Sequence, residues 1–342
     1  MTISRLEIEN FLIFSGKFAM DFCPNINVLV GGNSTGKTTL LKLIYAFCNI
    51  SSSTIANGSS LEINQPSIIK SYFMHTRGHT DPSNCSGRLT IYGGSENVKL
   101  SIGVDSNLVS ESVHLPSDVE QLRQWVYGNF ISVFIPEKDM LSNSRGLPET
   151  FEYGNAQFTR TEIDIIKKAR ILANGPEQPL YTKICKIINA EPENDGQSFY
   201  MRHKDLEDRI PFSLEASGYR KFGLLAALIR NEQIRSGSIL LWDEPENSLN
   251  PELVPCLVDI LLELSHNGVQ IFVATHSEIL ARYFAVNRRK SDDVTFHSLY
   301  KDGKQIKTNE NNRFDLLASN NLMTEPVKLY EKEIEYGLNG NG

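Results

Sequence analysis

The chain has 342 residues, 40% of them apolar and 22% charged, which excludes a mainly disordered protein and allows two or three domains or one large core. With 34 basic residues against 41 acidic ones the net charge is −7, so broad attachment to nucleic-acid backbones, which needs a basic surplus, is disfavoured. No apolar run reaches the roughly 18 residues of a membrane span, the N-terminal stretch does not read as a secretory leader, and the scattered Cys23, Cys48, Cys85, Cys185 and Cys256 fit a reducing, cytoplasmic setting better than a disulfide or zinc framework.

In chain order, Ile3, Leu6 and Ile8 alternate with polar neighbours and predict a first strand, followed by extended apolar stretches at 11–14 and 18–22. Residues 26–30 form a short apolar strand that stops at Gly31 and Gly32. A helix over 37–48 follows, with Leu40, Leu41, Leu43 and Ile44 on its inner face. Residues 49–60 are rich in Ser, Asn and Gly and read as a loop. Short strands are expected to about 135, with a hairpin of 88–92 and 98–104, a helix over 118–128, and an apolar strand over 130–135 stopped by Pro136. The period then turns helical from 159 to 190, with Thr161 as a cap and a second helix over 180–188. A hairpin within 191–212 leads to a helix over 218–234. Beyond it come strands at 239–242 and 269–274, helices at 252–265 and 278–284, and a last helix over 324–336. Buried strands alternating with helices indicate an α/β sandwich.

Residues 31–38 read Gly-Gly-Asn-Ser-Thr-Gly-Lys-Thr, a match to G-x-x-x-x-G-K-[ST] between a strand and a helix. Such a loop turns its N–H groups inward around phosphates, with the helix N-terminus adding a positive end. Gly31, Asn33, Ser34, Thr35 and Gly36 form the nest. Lys37 is placed for β/γ-phosphates, Thr38 for Mg²⁺, and Thr39 for the α-phosphate. Four apolar residues, 239–242, then lead into Asp243 and Glu244, which suit a Mg²⁺ ligand and a general base for water. About thirty residues later another strand ends at His276, placed to sense a γ-phosphate.

This order resembles the ABC-type ATPases, in the branch shared by SMC, RecF and OLD-like proteins. Ser4 to Phe11 is similar to that branch's opening strand and I-x-N-F turn, and Asp243 to Pro251 to its Walker B and D-loop. The resemblance is strong over residues 1–50 and 211–285. It implies an α/β ABC-type P-loop ATPase head, with a mixed, largely parallel sheet, an N-terminal antiparallel β lobe and a central helical insert. The expected divisions are a first lobe at 1–150, a helical insert at 151–210, a second lobe at 211–320 and a C-terminal helix and tail at 321–342. Ser217 and Gly218 occupy the signature position in a departed form, Asn250 the D-loop, and Glu137, beside Lys138, the place of the missing Q-loop glutamine. ATP and Mg²⁺ are the implied cofactors, with Glu244 and His276 catalytic and Thr38 and Asp243 on the metal.

The resemblance further implies a head-to-tail dimer with ATP sandwiched between copies. Stand-alone ATPases of this type, such as those of the Septu, retron and PARIS defence systems, imply a separate effector, a nuclease or toxin, and a role against phage or foreign DNA. Little chain follows His276, so no Toprim nuclease domain is expected within it. A RecF-like DNA-repair ATPase and a slow nucleotide-gated scaffold are the alternatives. The basic clusters at 167–170, 202–204 and 288–290 read as solvated faces before DNA contacts, and no membrane contact is expected.

Overall fold

A computed structural model describes residues 2–50, 55–56, 62–63, 72–73, 87–94, 97–104, 124–125, 130–152, 158–172 and 178–338. The loop expected at 49–60, the helix expected at 118–128, Cys85 and the end of the tail fall largely or wholly outside these residues. Strands β1 (Ile3–Phe11) and β2 (Phe14–Asp21) form a hairpin, followed by β3 (Ile26–Gly31) and α1 (Lys37–Cys48). After the short pair β4 (Ile55–Ala56) and β5 (Glu62–Ile63) come β6 (Gly87–Gly93), β7 (Val98–Val104) and β8 (Ile131–Ile135). Helices α2 (Leu147–Glu152), α3 (Arg160–Arg170) and α4 (Pro179–Ile188) precede the small sheet of β9 (Ala190–Asn194), β10 (Phe199–His203) and β11 (Ile210–Pro211). Then come α5 (Ser217–Arg230), β12 (Ser238–Asp243), α6 (Val254–His266), β13 (Gln270–Thr275) and α7 (Glu278–Asn287). The described chain closes with β14 (Val294–Asp302), β15 (Gln305–Asn311) and α8 (Asn321–Leu338).

The central sheet runs β15-β14-β3-β13-β12-β8, parallel except where β15 joins antiparallel at one edge. A parallel sheet covered on both faces needs unbroken apolar strands, and every residue of β3, β12 and β13 is buried. Alternation divides these strands between two cores. Val28, Val30, Leu240, Trp242, Ile271 and Val273 face the layer that contains α3 to α6. Leu29, Ile239, Leu241, Phe272 and Ala274 face α1 and the antiparallel sheet β2-β1-β6-β7. Gln270, at the start of β13, joins the two sheets. Its amide donates to the carbonyls of Ile3 and Cys23 and accepts the N–H of Ile3, each within 2.8 Å.

Local differences from the expected elements have local causes. Within the apolar stretch at 11–14, Phe11 and Phe14 are paired strand ends and only 12–13 is a turn, with Asn10 and Leu12 at left-handed φ values of 52° and 50° and Asn10 Oδ1 accepting the Gly16 N–H. Thr161 is buried within the first turn of α3, and Thr159 is its cap instead. The Thr159 N–H and hydroxyl both donate to Glu162. The helix expected from 252 starts as a short 3₁₀ turn, Pro251–Leu253, with α6 proper beginning at Val254. The sequence marks no strand between 294 and 311, where β14 and β15 complete the sheet.

The four described cysteines are buried (Cys48, Cys185) or half-buried (Cys23, Cys256). No helix among the described residues is long and apolar enough to cross a membrane. Helix α8 touches the core only through the half-buried Leu322 and Met323, and residues 324–336 are exposed throughout.

Candidate active site

Because β3, β12 and β13 are parallel and in register, Val30 lying opposite Thr275 and Asp243 opposite Ala274, their C-terminal ends form one edge. The chain therefore delivers residues 31–39, 243–247 and 275–277 to a single crevice, the usual ligand position in parallel sheets.

The loop after β3 depends on glycine at two points. Gly36 has φ +94°, and a Cβ there would lie 2.6 Å from the Phe14 ring. A Cβ on Gly31 would lie 2.3 Å from the Leu299 carbonyl oxygen. Helix α1 has no side-chain cap and no acidic residue in its first turn, so its free N–H groups and positive end are left for an anion. Asn33 and Ser34 are exposed on the loop, Thr35 is buried with its hydroxyl donating to Gly32 O, and Thr39 is half-buried.

Lys37 is buried and donates to the carbonyls of Gly31 and Gly32 at 2.9 and 3.1 Å. Its Nζ also lies 2.9 Å from His276 Nε2. Burial lowers the Lys37 pKa to about 8, against the opposing pull of Glu244, Asp243 and Glu246. His276 is pushed down by burial and by the Lys37 charge. An ammonium can only donate, so in this contact the ring accepts at Nε2. The same Nε2 stands 3.3 Å from Glu244 Oε1. Glu244 is held in a left-handed conformation, φ 47°, with its N–H on Ala274 O. Burial, then the charges of Glu137, Asp243 and Glu246, raise its pKa. Asp243, also raised by burial, accepts the Thr38 hydroxyl at 2.8 Å. That oxygen pair has the hard-ligand chemistry of a Mg²⁺ site completed by water and phosphate.

The remaining sequence-derived candidates lie along the adjoining turn. Glu137 Oε1 accepts from Asn247 Nδ2 at 2.6 Å, and its charge bears on Asp243 and Glu244. Lys138 turns away, its ammonium over the Phe158 ring. Ser217 opens α5 and donates its hydroxyl to Ser248 O, and Gly218 packs against Leu249, 3.0 Å from where its Cβ would be. Asn250 Oδ1 accepts the Glu252 N–H and caps the 3₁₀ turn.

Two residues at this edge had received no separate role from the sequence. Lys221 donates to Glu244 O and Pro245 O, and burial lowers its pKa to about 8. Glu246 reaches the end of β13, where it accepts from Thr275 and from the His276 N–H. Both lie inside recognisable motifs, but only the contacts distinguish them from solvated charges.

Residues 26–282 match the family model AAA_21, described as "AAA domain, putative AbiEii toxin, Type IV TA system". Among curated proteins, the arginine transport ATP-binding protein ArtP of Haemophilus influenzae is 28% identical over 117 residues, 34% of this chain and 45% of that protein. A putative ABC transporter ATP-binding protein of Methanosarcina acetivorans is 29% identical over 175 residues, 51% of this chain and 56% of that one. The chain thus spans about half the length of these curated relatives. Among solved structures, an SMC head bound to the C-terminal winged-helix domain of ScpA aligns with TM-score 0.58 at 14% identity, covering 91% of this chain and 98% of that one. An SMC head from Pyrococcus furiosus, with an extended coiled coil and bound to ScpA, aligns with TM-score 0.52 at 11% identity, covering 97% and 99%. The phosphate loop, the acidic strand end and this fold agree, and the chain belongs to the AAA_21 family of AAA domains, with the fold of an SMC head.

Proposed function

We propose that this chain binds Mg·ATP at the edge formed by residues 31–39 and 243–276, hydrolyses it, and pairs head to tail with a second copy to control a separate effector. The observation that carries the reading is the convergence of Lys37, His276 and Glu244 within 3.3 Å steps beside the Thr38–Asp243 pair. A lysine that leans on backbone carbonyls and a histidine has donors ready to exchange those acceptors for phosphate oxygens. The side-chain chemistry therefore fits the group that the family implies. Bound Mg·ATP supplies the phosphoanhydride and the metal's positive charge.

Lys37 would turn from Gly31 O, Gly32 O and His276 to the β/γ-phosphates. Thr38 Oγ1 and Asp243 would hold Mg²⁺. That movement would free His276 Nε2, which in its N–H tautomer can donate to the terminal phosphate. Glu244, with its raised pKa, would orient the attacking water and take its proton. Ser217, the N-terminus of α5 and Asn250 would meet the phosphates of the opposite copy, after leaving their contacts with the 248–252 turn.

The effector reading is supported by the family's description as part of a toxin system and by the partner protein seated on the SMC heads of the same fold. A nuclease or toxin acting in defence against phage or foreign DNA is the corresponding effector, and a cytoplasmic setting suits it. DNA as the direct ligand has less support. Arg170 is engaged with Glu149 and with the carbonyls of Ser144 and Gln197, and Arg202 with Glu193.

Light scattering of E244Q with and without Mg·ATP tests the proposal. Doubling of the mass only with nucleotide is expected, together with turnover reduced by about 10²–10⁴-fold and ATP still bound. A monomer that hydrolyses ATP at the wild-type rate would remove both Glu244 and the dimer from the proposal.

A further inference from the structure

We infer that Glu246 is a positioning residue for the switch histidine, holding His276 at the distance from Lys37 and Glu244 that turnover requires; this rests on the hydrolysis proposed above. Glu246 belongs to the turn after β12, yet its carboxylate crosses to the end of β13. Oε1 accepts the Thr275 hydroxyl at 2.5 Å and the His276 N–H at 3.2 Å. Thr275 Oγ1 in turn accepts the Ser277 N–H at 2.8 Å, and Ser277 caps α7 through the Leu280 N–H. The peptide groups on both sides of His276 are therefore fixed, one directly by Glu246 and one through Thr275.

This fixation decides where the ring points. A side chain is aimed by its backbone, and His276 Nε2 must reach Lys37 Nζ at 2.9 Å and Glu244 Oε1 at 3.3 Å together. A small shift of the 275–277 turn would favour one partner over the other. Glu246 is also the one carboxylate of the 243–246 group that hydrogen-bonds the switch segment: Asp243 is on Thr38, and Glu244 faces the ring itself. The turns are held together independently by the Glu244 N–H on Ala274 O, so loss of the carboxylate loosens the histidine without separating the strands. The second oxygen, Oε2, is buried with no hydrogen-bond partner. Both hydrogen bonds therefore pass through one oxygen, and a glutamine amide oxygen can take them over.

The test compares E246A with E246Q, each also on an H276A background. E246A should lower kcat by about tenfold to a hundredfold, the loss expected for hydrogen bonds to a charged group, with KM for ATP within about twofold. E246Q should retain most of kcat. On the H276A background E246A should cost nothing further, because the two residues act as one unit. Unchanged kcat in E246A, parallel loss of kcat and affinity, or a full additional loss without His276 would each overturn the inference.

Histidine side-chain NMR of the nucleotide-free protein separates this from failure of the hydrolysis proposal. With the signal assigned from the H276A spectrum, the His276 ring resonance should shift in E246A and stay in place in E246Q. A resonance unmoved by E246A overturns the inference even if the wild-type protein turns over no ATP. A shifted one supports it in that same case.

Discussion

Lys37 concentrates the site's electrostatics at the scale of one residue. Burial works against its charge more than three nearby carboxylates support it, which brings its pKa to about 8. The sign of the consequence follows directly. Below that value the ammonium is present to meet phosphate, and above it the free protein must first take up a proton. Nucleotide affinity should therefore fall by about tenfold between about pH 7 and about pH 9, measured by titration with a fluorescent nucleotide. The same depressed pKa makes the folded state gain stability as pH rises from about 8 toward the lysine's ordinary 10.5, because only the unfolded chain then holds the proton. K37A should abolish the pH dependence and weaken binding by about tenfold to a hundredfold at neutral pH. The lysine was legible in the sequence from its motif. Its partnership with His276, 239 positions away, was not, since spacing carries no distance between the ends of different strands.

At the scale of elements, the phosphate loop is a strand-to-helix joint pressed against the β1–β2 hairpin. Phe14 and Ile13 come within 2.6 and 2.9 Å of where a Cβ on Gly36 would stand, and the backbone there is left-handed. G36A should therefore cost at least about 1–2 kcal/mol in a denaturant or thermal melt and lower nucleotide affinity with it. Element type was readable where periodicity was strong. The fully buried β3, β12 and β13 stood out as apolar runs, and α1, α4 and α5 as helical stripes. Residues 294–311 were missed because β14 carries His297 and Ser298 at buried positions, and β15, at the sheet edge, is mostly polar. The cap of α3 was misplaced by two residues because Thr159 and Thr161 are equivalent as residue types. Only the reach of Glu162 back to the Thr159 N–H distinguishes them.

At the scale of the whole molecule, two cores share one central sheet, and the site lies on the edge where strands serving both cores end. Helix α8 stands apart from this plan. It is anchored by Leu322 and Met323, and then carries Val327, Tyr330 and Ile334 in the open. Ending the chain after Met323 should shift the melting temperature by no more than about 2 °C, because exposed residues without core contacts contribute little. A larger drop in calorimetry would mean that the helix is covered in solution. The overall architecture followed from the order of motifs, but the joining of the two sheets did not, since Gln270 reads in sequence as one more polar residue before a strand.

That glutamine has a mechanical consequence. Its amide clamps the first end of β13 to Ile3 and Cys23, and the other end of β13 carries His276. Six extended residues, about 20 Å of nearly inextensible chain, separate the two. β13 is thus a strut held at both ends, which links the antiparallel sheet to the turn that carries His276. α5 is tied to the strand-end turns at separate points, through Ser217 on Ser248 O and through Lys221 on Glu244 O and Pro245 O.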